Sequence, residues 1–236
     1  MILFLGDSFT WGQGLEWEVL KSKGWSSKDI NKLIPPKHSN EKLPIDLYDY
    51  RVKYHFPRLV SEYFNESYHI GKFGNGGSNG NIYHILNNLS QFIIPEHLDL
   101  IVIQLTHSSR HIKTSHYNVD SAIPTDAKEL ELVIKSFEKK YKWIKIVILS
   151  WLPELGDGVK ELLGNKYVVK FGLQNGFEHL LQLHNGFQLD ASLNVSDGHF
   201  NSAGHKHISE CIINHIKEYN IITKNDFYET KSQKIL

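Results

Sequence analysis

The chain has 236 residues whose 26 basic and 26 acidic side chains cancel to a formal charge of zero, a length at which one α/β core is routine. The balance removes the electrostatic argument for nucleic acid or an anionic membrane surface as partner. A lone cysteine, Cys211, leaves no internal disulfide to form, and no apolar run reaches the length of a membrane span.

In chain order, Met1 to Leu5 is a short apolar strand that stops at Gly6-Asp7-Ser8, followed by Phe9-Thr10-Trp11-Gly12. In an open α/β sheet, ligands bind at the carboxyl ends of the strands, so Ser8 is a candidate nucleophile. The same three residue types also suit a turn or a helix N-cap. The opening run is too short for a signal peptide and no basic segment precedes it, so a cytoplasmic location is expected. Residues 16–54 carry Pro35-Pro36, many lysines and little periodicity, and read as an insertion over the active-site edge. Trp17, Trp25, Tyr48 and Tyr50 within it are expected to pack. A helix is expected over Phe56–Phe64 and a strand over Tyr68–Ile70. The loop Gly74-Asn75-Gly76-Gly77-Ser78-Asn79 comes next, then a helix over Ile82–Phe92. That loop lacks the Gly-Lys-Ser/Thr ending of a Walker phosphate loop, and no dinucleotide-binding spacing follows the first strand.

Leu98 to Leu105 is almost continuously apolar, as a strand buried on both faces must be. The loop from Thr106 to Pro124 gathers His107, Arg110, His111, Lys113 and His116 at its carboxyl end. Arg110 offers a planar fork for an anionic or sugar ligand, the competing reading being a solvated loop. A helix is expected over Asp126–Tyr141, with Asp126 and Glu129 at capping-box spacing and Leu130, Val133, Ile134, Phe137 and Tyr141 on one face. A strand over Ile144–Trp151 ends at Pro153. Glycines at 156, 158, 164, 172, 176 and 186 predict only short helices and loops from Glu154 to Gln188. A closing helix, Ser202–Tyr219, packs an Ile208, Ile212, Ile216 stripe on the sheet, with Cys211 as a small apolar side chain rather than a reactive thiol. Residues 222–236 form a peripheral polar tail. Alternating strands and helices predict one domain over 1–236, a three-layer α/β/α sandwich with a central, mostly parallel sheet.

Serine is a poor nucleophile until an imidazole takes its proton and a carboxylate orients that imidazole. Asp197-Gly198-His199, on one short loop before the last helix, supplies both groups. Asp197, His199, His205 and His207 also suit a zinc-like ion. His205 and His207, however, diverge by about 200° around a helix, so neither a metal nor another cofactor is expected.

Gly6-Asp7-Ser8-Phe9, the Gly74–Asn79 loop and Asp197-Gly198-His199, in this order and spacing over nearly the whole chain, resemble the SGNH (GDSL) hydrolase superfamily. The run through Gly12, with Gly77-Ser78-Asn79, looks most like a branch seen in phage and bacterial genomes. The resemblance implies a flavodoxin-like fold, Ser8 as nucleophile, His199 as general base, Asp197 as its orienting partner, and Gly76 as a backbone donor to the oxyanion hole. Two features depart from the pattern. The strand ending in Gln104-Leu105 runs into Thr106-His107-Ser108-Ser109-Arg110 with no third-block asparagine, so the side-chain donor falls to Asn79, Thr106, His107 or Ser108. One residue, not two, separates Asp197 from His199, while Asn201 and Gly204-His205 keep the expected positions.

The expected activity is ester hydrolysis through an acyl-enzyme. Its substrate is expected to be a polar ester such as an acetylated carbohydrate, with Arg110 and His107 contacting it. The alternatives are an O-acyltransferase using the same residues and a non-catalytic domain of this type that binds glycans or a partner protein.

Overall fold

The computed structural model describes residues 1–7, 10–12, 14–26, 29, 44–71, 79–105, 119–150, 153–169, 188–190, 195–197 and 199–223, with the backbone alone at 79–81, 119–126, 153–155, 188–190 and 195–197. Four strands, β1 (Ile2–Leu5), β2 (Tyr68–Ile70), β3 (Leu100–Leu105) and β4 (Lys145–Ser150), form a parallel sheet in the order β2-β1-β3-β4. A single parallel bridge from Ile148 to Val168 continues it beyond β4. β5 (Gln188–Asp190) and β6 (Val195–Asp197) pair antiparallel as a separate ribbon just before the Asp197–His199 loop.

The alternation of side chains along the strands divides the core in two. Leu3, Leu5, Ile101, Ile103, Ile146 and Ile148 face one layer, where they meet Leu86 of α4 (Asn79–Asn87), Leu130, Ile134 and Phe137 of α5 (Val119–Lys140) and Val159 of α6 (Pro153–Leu163). Ile2, Phe4, Leu100, Val102, Val147 and Leu149 face the other. There they meet Phe56, Val60 and Phe64 of α3 (Phe56–Phe64) and Ile208, Ile212 and Ile216 of α7 (Ser202–Glu218). Every residue of β1 and β3 is buried, as strands covered on both faces require. This is the expected three-layer α/β/α sandwich, and the Ile208, Ile212, Ile216 stripe is core.

Among the described residues, the 16–54 segment holds α1 (Leu15–Ser22) and α2 (Ile45–Tyr54), which bury Trp17, Leu20 and Leu47 against each other. Trp17 is buried as expected, whereas Trp25 and Tyr48 are exposed. The helix expected from Ile82 begins at Asn79 and gives way after Asn87 to a 3-10 turn over Leu89–Gln91.

α5 starts at Val119, so Asp126 lies inside it and not at its N-terminus. Pro124, taken as loop, is the sixth residue of this helix, past the first turn whose N–H groups have no helical partner, so it costs the helix one hydrogen bond. α6 runs unbroken through Gly156 and Gly158, against the expectation of short pieces. The reason is packing: a Cβ at Gly156 would meet the Ser150 side chain at 3.3 Å and one at Gly158 the Ala127 Cβ at 3.3 Å. Of the six glycines read as breakers, Gly164, with φ +97°, is the one that ends a described helix, in the left-handed conformation glycine adopts without penalty. Cys211 packs against the core, and burial pushes its thiol up to about 11, away from reactivity. Of the tail, residues 224–236 lie outside the described residues. No helix among the described residues is long and apolar enough to cross a membrane.

Candidate active site

β1 pairs with β3 as far as Leu5 opposite Ile103. β3 continues two residues further, still paired with β4 through Leu105 opposite Ser150. Gln104 therefore stands beside the point where the first strand leaves the sheet. Its Oε1 accepts the Asp7 N–H at 3.1 Å and the Thr10 hydroxyl at 2.9 Å, and its Nε2 donates to the Leu105 carbonyl at 3.0 Å. All three side chains are buried. A Cβ on Gly6 would overlap the Thr10 hydroxyl and lie 2.7 Å from Gln104 Oε1, so only glycine fits at that step. The Trp11 N–H closes the turn on the Asp7 carbonyl at 3.2 Å. Ser8 lies between these anchors and outside the described residues.

Past the turn, Gly12 takes φ +73° with Arg51 and His55 packed against its open side, and α1 begins. Glu16 is fully buried. It accepts from the Gly14 N–H at 3.2 Å, Arg51 Nε at 3.1 Å and Arg51 Nη2 at 2.5 Å, a forked pairing that satisfies both buried charges. Two residues later, Glu18 reaches the start of α7, accepting the Ser202 N–H at 2.9 Å and its hydroxyl at 2.8 Å. Asn201 completes this cap by accepting the Gly204 N–H at 2.9 Å. A helix N-terminus leaves donors open, and a carboxylate there also meets the positive end of the helix dipole. Gly204 allows the helix to press on Phe200, since a Cβ there would meet the Phe200 Cβ at 2.9 Å.

Two buried histidines lie between these parts. His55 Nε2 is 3.0 Å from the Tyr68 hydroxyl. Burial lowers its pKa to about 4, opposed by a hydrogen bond to the Trp11 backbone and reinforced by the charges of Arg58 and Arg51. His205 is wholly buried. Its Nδ1 accepts the Phe56 N–H at 3.2 Å, its ring stacks on Phe56 at 5.8 Å, and Phe200 meets it edge-on at 6.0 Å. The accepted bond puts the ring proton on Nε2, which has no hydrogen-bond partner among the described residues. Burial, then the charges of His55, His199 and Arg51, hold His205 well below the ordinary histidine range.

Trp11, three residues after Ser8, and Phe200, one after His199, belong to one core cluster. The turn after β1 and the loop before α7, about 190 residues apart in sequence, thus lie on the same layer of the sheet. His199 is partly exposed there, and the backbone of Asp197 closes β6. Asn79 begins α4. Gly76, Thr106, His107, Ser108 and Arg110 lie outside the described residues. Among the described residues no three His, Cys, Asp or Glu side chains gather as a metal site would need.

Sequence reasoning missed Gln104, Glu16, Glu18, Arg51, His55 and His205 as parts of this assembly. Gln104 carried a signal: it is the one polar side chain within the otherwise apolar run 100–105. Glu16 and Glu18 carried none, because their partners lie 35 and 184 residues away.

No protein-family model matches the chain, and no curated protein matches it. Among solved structures, one similar chain is a carbohydrate esterase whose active site is described as displaying divergent catalytic and non-catalytic binding functions. The likeness spans 92% of this chain and 67% of that one, at 16% identity and a TM-score of 0.51. A family two carbohydrate esterase from Clostridium thermocellum, in complex with cellohexaose, is similar over 92% of this chain and 63% of its own, at 17% identity and a TM-score of 0.49. A mutant of Axe2, an acetyl-xylooligosaccharide esterase from Geobacillus Stearmophilus, is similar over 91% and 93%, at 16% identity and a TM-score of 0.42. The first of these likenesses shows that this chain shares its fold with a carbohydrate esterase.

Proposed function

We propose that the protein, a single domain over its 236 residues, is a serine-dependent ester hydrolase acting on a polar ester, an acetylated carbohydrate being the favoured class. The observation that carries the reading is that Trp11, three residues after Ser8, and Phe200, one after His199, pack on the same face of the sheet. His199 takes the proton of the Ser8 hydroxyl as Oγ bonds to the ester carbonyl carbon. Asp197 orients the imidazole and stabilises its charged form. The oxyanion is held by the backbone N–H groups of Ser8 and Gly76 and by a side-chain donor from Asn79 or Thr106. The alcohol leaves with the proton from His199, and water, activated by the same base, releases the acid from Ser8. Arg110 and His107 contact the substrate. An alcohol replacing water would make the protein an O-acyltransferase.

A second reading, a non-catalytic glycan-binding domain, draws support from the missing third-block asparagine. It draws support too from the fold neighbour, a carbohydrate esterase whose active site is described as displaying divergent catalytic and non-catalytic binding functions. Hydrolysis of p-nitrophenyl acetate and fluorophosphonate labelling, by the wild type and Ser8→Ala in parallel, separate the two. Activity and labelling that vanish in the variant establish the nucleophile. A folded wild type showing neither turns the reading to glycan binding. Acetate release from acetylated oligosaccharides, set against butyryl and longer model esters, then tests the substrate class, and a flat profile across acyl lengths counts against it.

A further inference from the structure

We propose that Gln104 is a positioning residue for the nucleophile: its amide grips the chain on both sides of Ser8 and so sets where the serine hydroxyl stands. This deepens the hydrolase reading and rests on it. The sheet explains the arrangement. The β1–β3 ladder stops at Leu5 and Ile103, and the next backbone donor, Asp7 N–H, bonds to the Gln104 side chain instead of to β3. The amide thus takes the place of a ladder acceptor and lets the strand turn sharply within the core.

Three contacts fix which way the amide faces. Asp7 N–H can only donate, so the atom 3.1 Å from it is the amide oxygen, and the nitrogen then donates to the Leu105 carbonyl at 3.0 Å. The Thr10 hydroxyl spends its proton on the same oxygen at 2.9 Å. The two anchors, Asp7 before Ser8 and Thr10 two residues after it, bind the same amide oxygen, and Gly6 gives the amide room to approach. A neutral amide suits the place. A carboxylate of the same length would keep the acceptor but set a negative charge beside a developing oxyanion.

The test measures kcat and KM for p-nitrophenyl acetate, the fluorophosphonate labelling rate and the pH–rate profile. Gln104→Met, which keeps the length and removes both anchors, is expected to lower kcat and labelling together by about a hundredfold, the cost of a misplaced reacting group, with KM nearly unchanged. Gln104→Glu, which keeps the acceptor for both anchors, is expected to lose less kcat at low pH, where the new carboxyl is neutral, than at high pH, where it is charged. Thr10→Val should reproduce a smaller kcat loss, and Thr10→Ser, which keeps the hydroxyl, should restore the rate. If Gln104→Met fails to fold, the Thr10 pair decides on the same criterion. A folded Gln104→Met with wild-type kcat and labelling overturns the proposal. So does a Thr10→Val loss that Thr10→Ser fails to restore. A wild type that neither hydrolyses nor labels overturns the hydrolase reading itself, and this inference with it.

Discussion

The turn at Gly6–Thr10 and the loop before α7 are each held by polar side chains reaching in from elsewhere, but the holders differ. The first is gripped by a neutral amide from the central strand, Gln104. The second is tied down by a carboxylate from an inserted helix, Glu18 on Ser202, two residues after a buried ion pair between Glu16 and Arg51. A neutral holder on the Ser8 side spares a developing oxyanion. The holders also sit at different depths. Gln104 belongs to a strand buried on both faces, whereas α1 and α2 pack through a small cluster of their own. Changes on the amide side should therefore register in rate, and changes on the carboxylate side in stability.

The largest expected effect lies on the carboxylate side. Arg51→Met leaves Glu16 as an uncompensated buried charge and should cost about 3–5 kcal/mol, read from urea unfolding. Adding Glu16→Leu should recover part of this, because the pair goes with its desolvation cost; no recovery would mean that packing, not charge, dominates. Next is pH. His55 has a folded pKa of about 4 against 6.5 unfolded, so the unfolded chain binds the proton first as pH falls. His55 alone should lower stability by about 3 kcal/mol between pH 6.5 and 4. His205 pushes the same way, and unfolding midpoints that stay level from pH 7.5 to 4.5 would refute the account.

On the amide side, Gly6→Ala forces a methyl onto the Thr10 hydroxyl and Gln104 and should cost about 1–3 kcal/mol. Its rate loss should exceed what that destabilisation explains; a proportionate loss would erase the contrast between the two sides. The smallest effect is Glu18→Ala, which uncaps α7 at about 1 kcal/mol in thermal unfolding, with Glu18→Gln retaining part of the cap.

Much of the layer structure was readable because burial leaves a local imprint. The apolar run 100–105, the Phe56–Phe64 helix and the Ile208, Ile212, Ile216 stripe each have a period that declares their partner face. Boundaries were less readable where a residue's usual preference yielded to packing. Gly156 and Gly158 stay helical because α6 approaches Ser150 and Ala127 closely, and α5 begins seven residues before Asp126. The candidate site divides in the same way. Gly6-Asp7-Ser8 and Asp197-Gly198-His199 are contiguous motifs that declare themselves, whereas the side chains that hold the turn and the start of α7 are scattered.

The sequence by itself determined the four strands of the parallel sheet, the principal amphipathic helices and the candidate chemical groups, since periodicity, turn chemistry and short motifs are properties of neighbouring residues; the ribbon of β5 and β6 it did not. Only the tertiary structure decided that Gln104 clasps a turn 97 residues away and that Glu18 caps a helix 184 residues away. Hydrogen-bond partners are chosen by distance and desolvation in the folded core, and separation along the chain carries no trace of that choice.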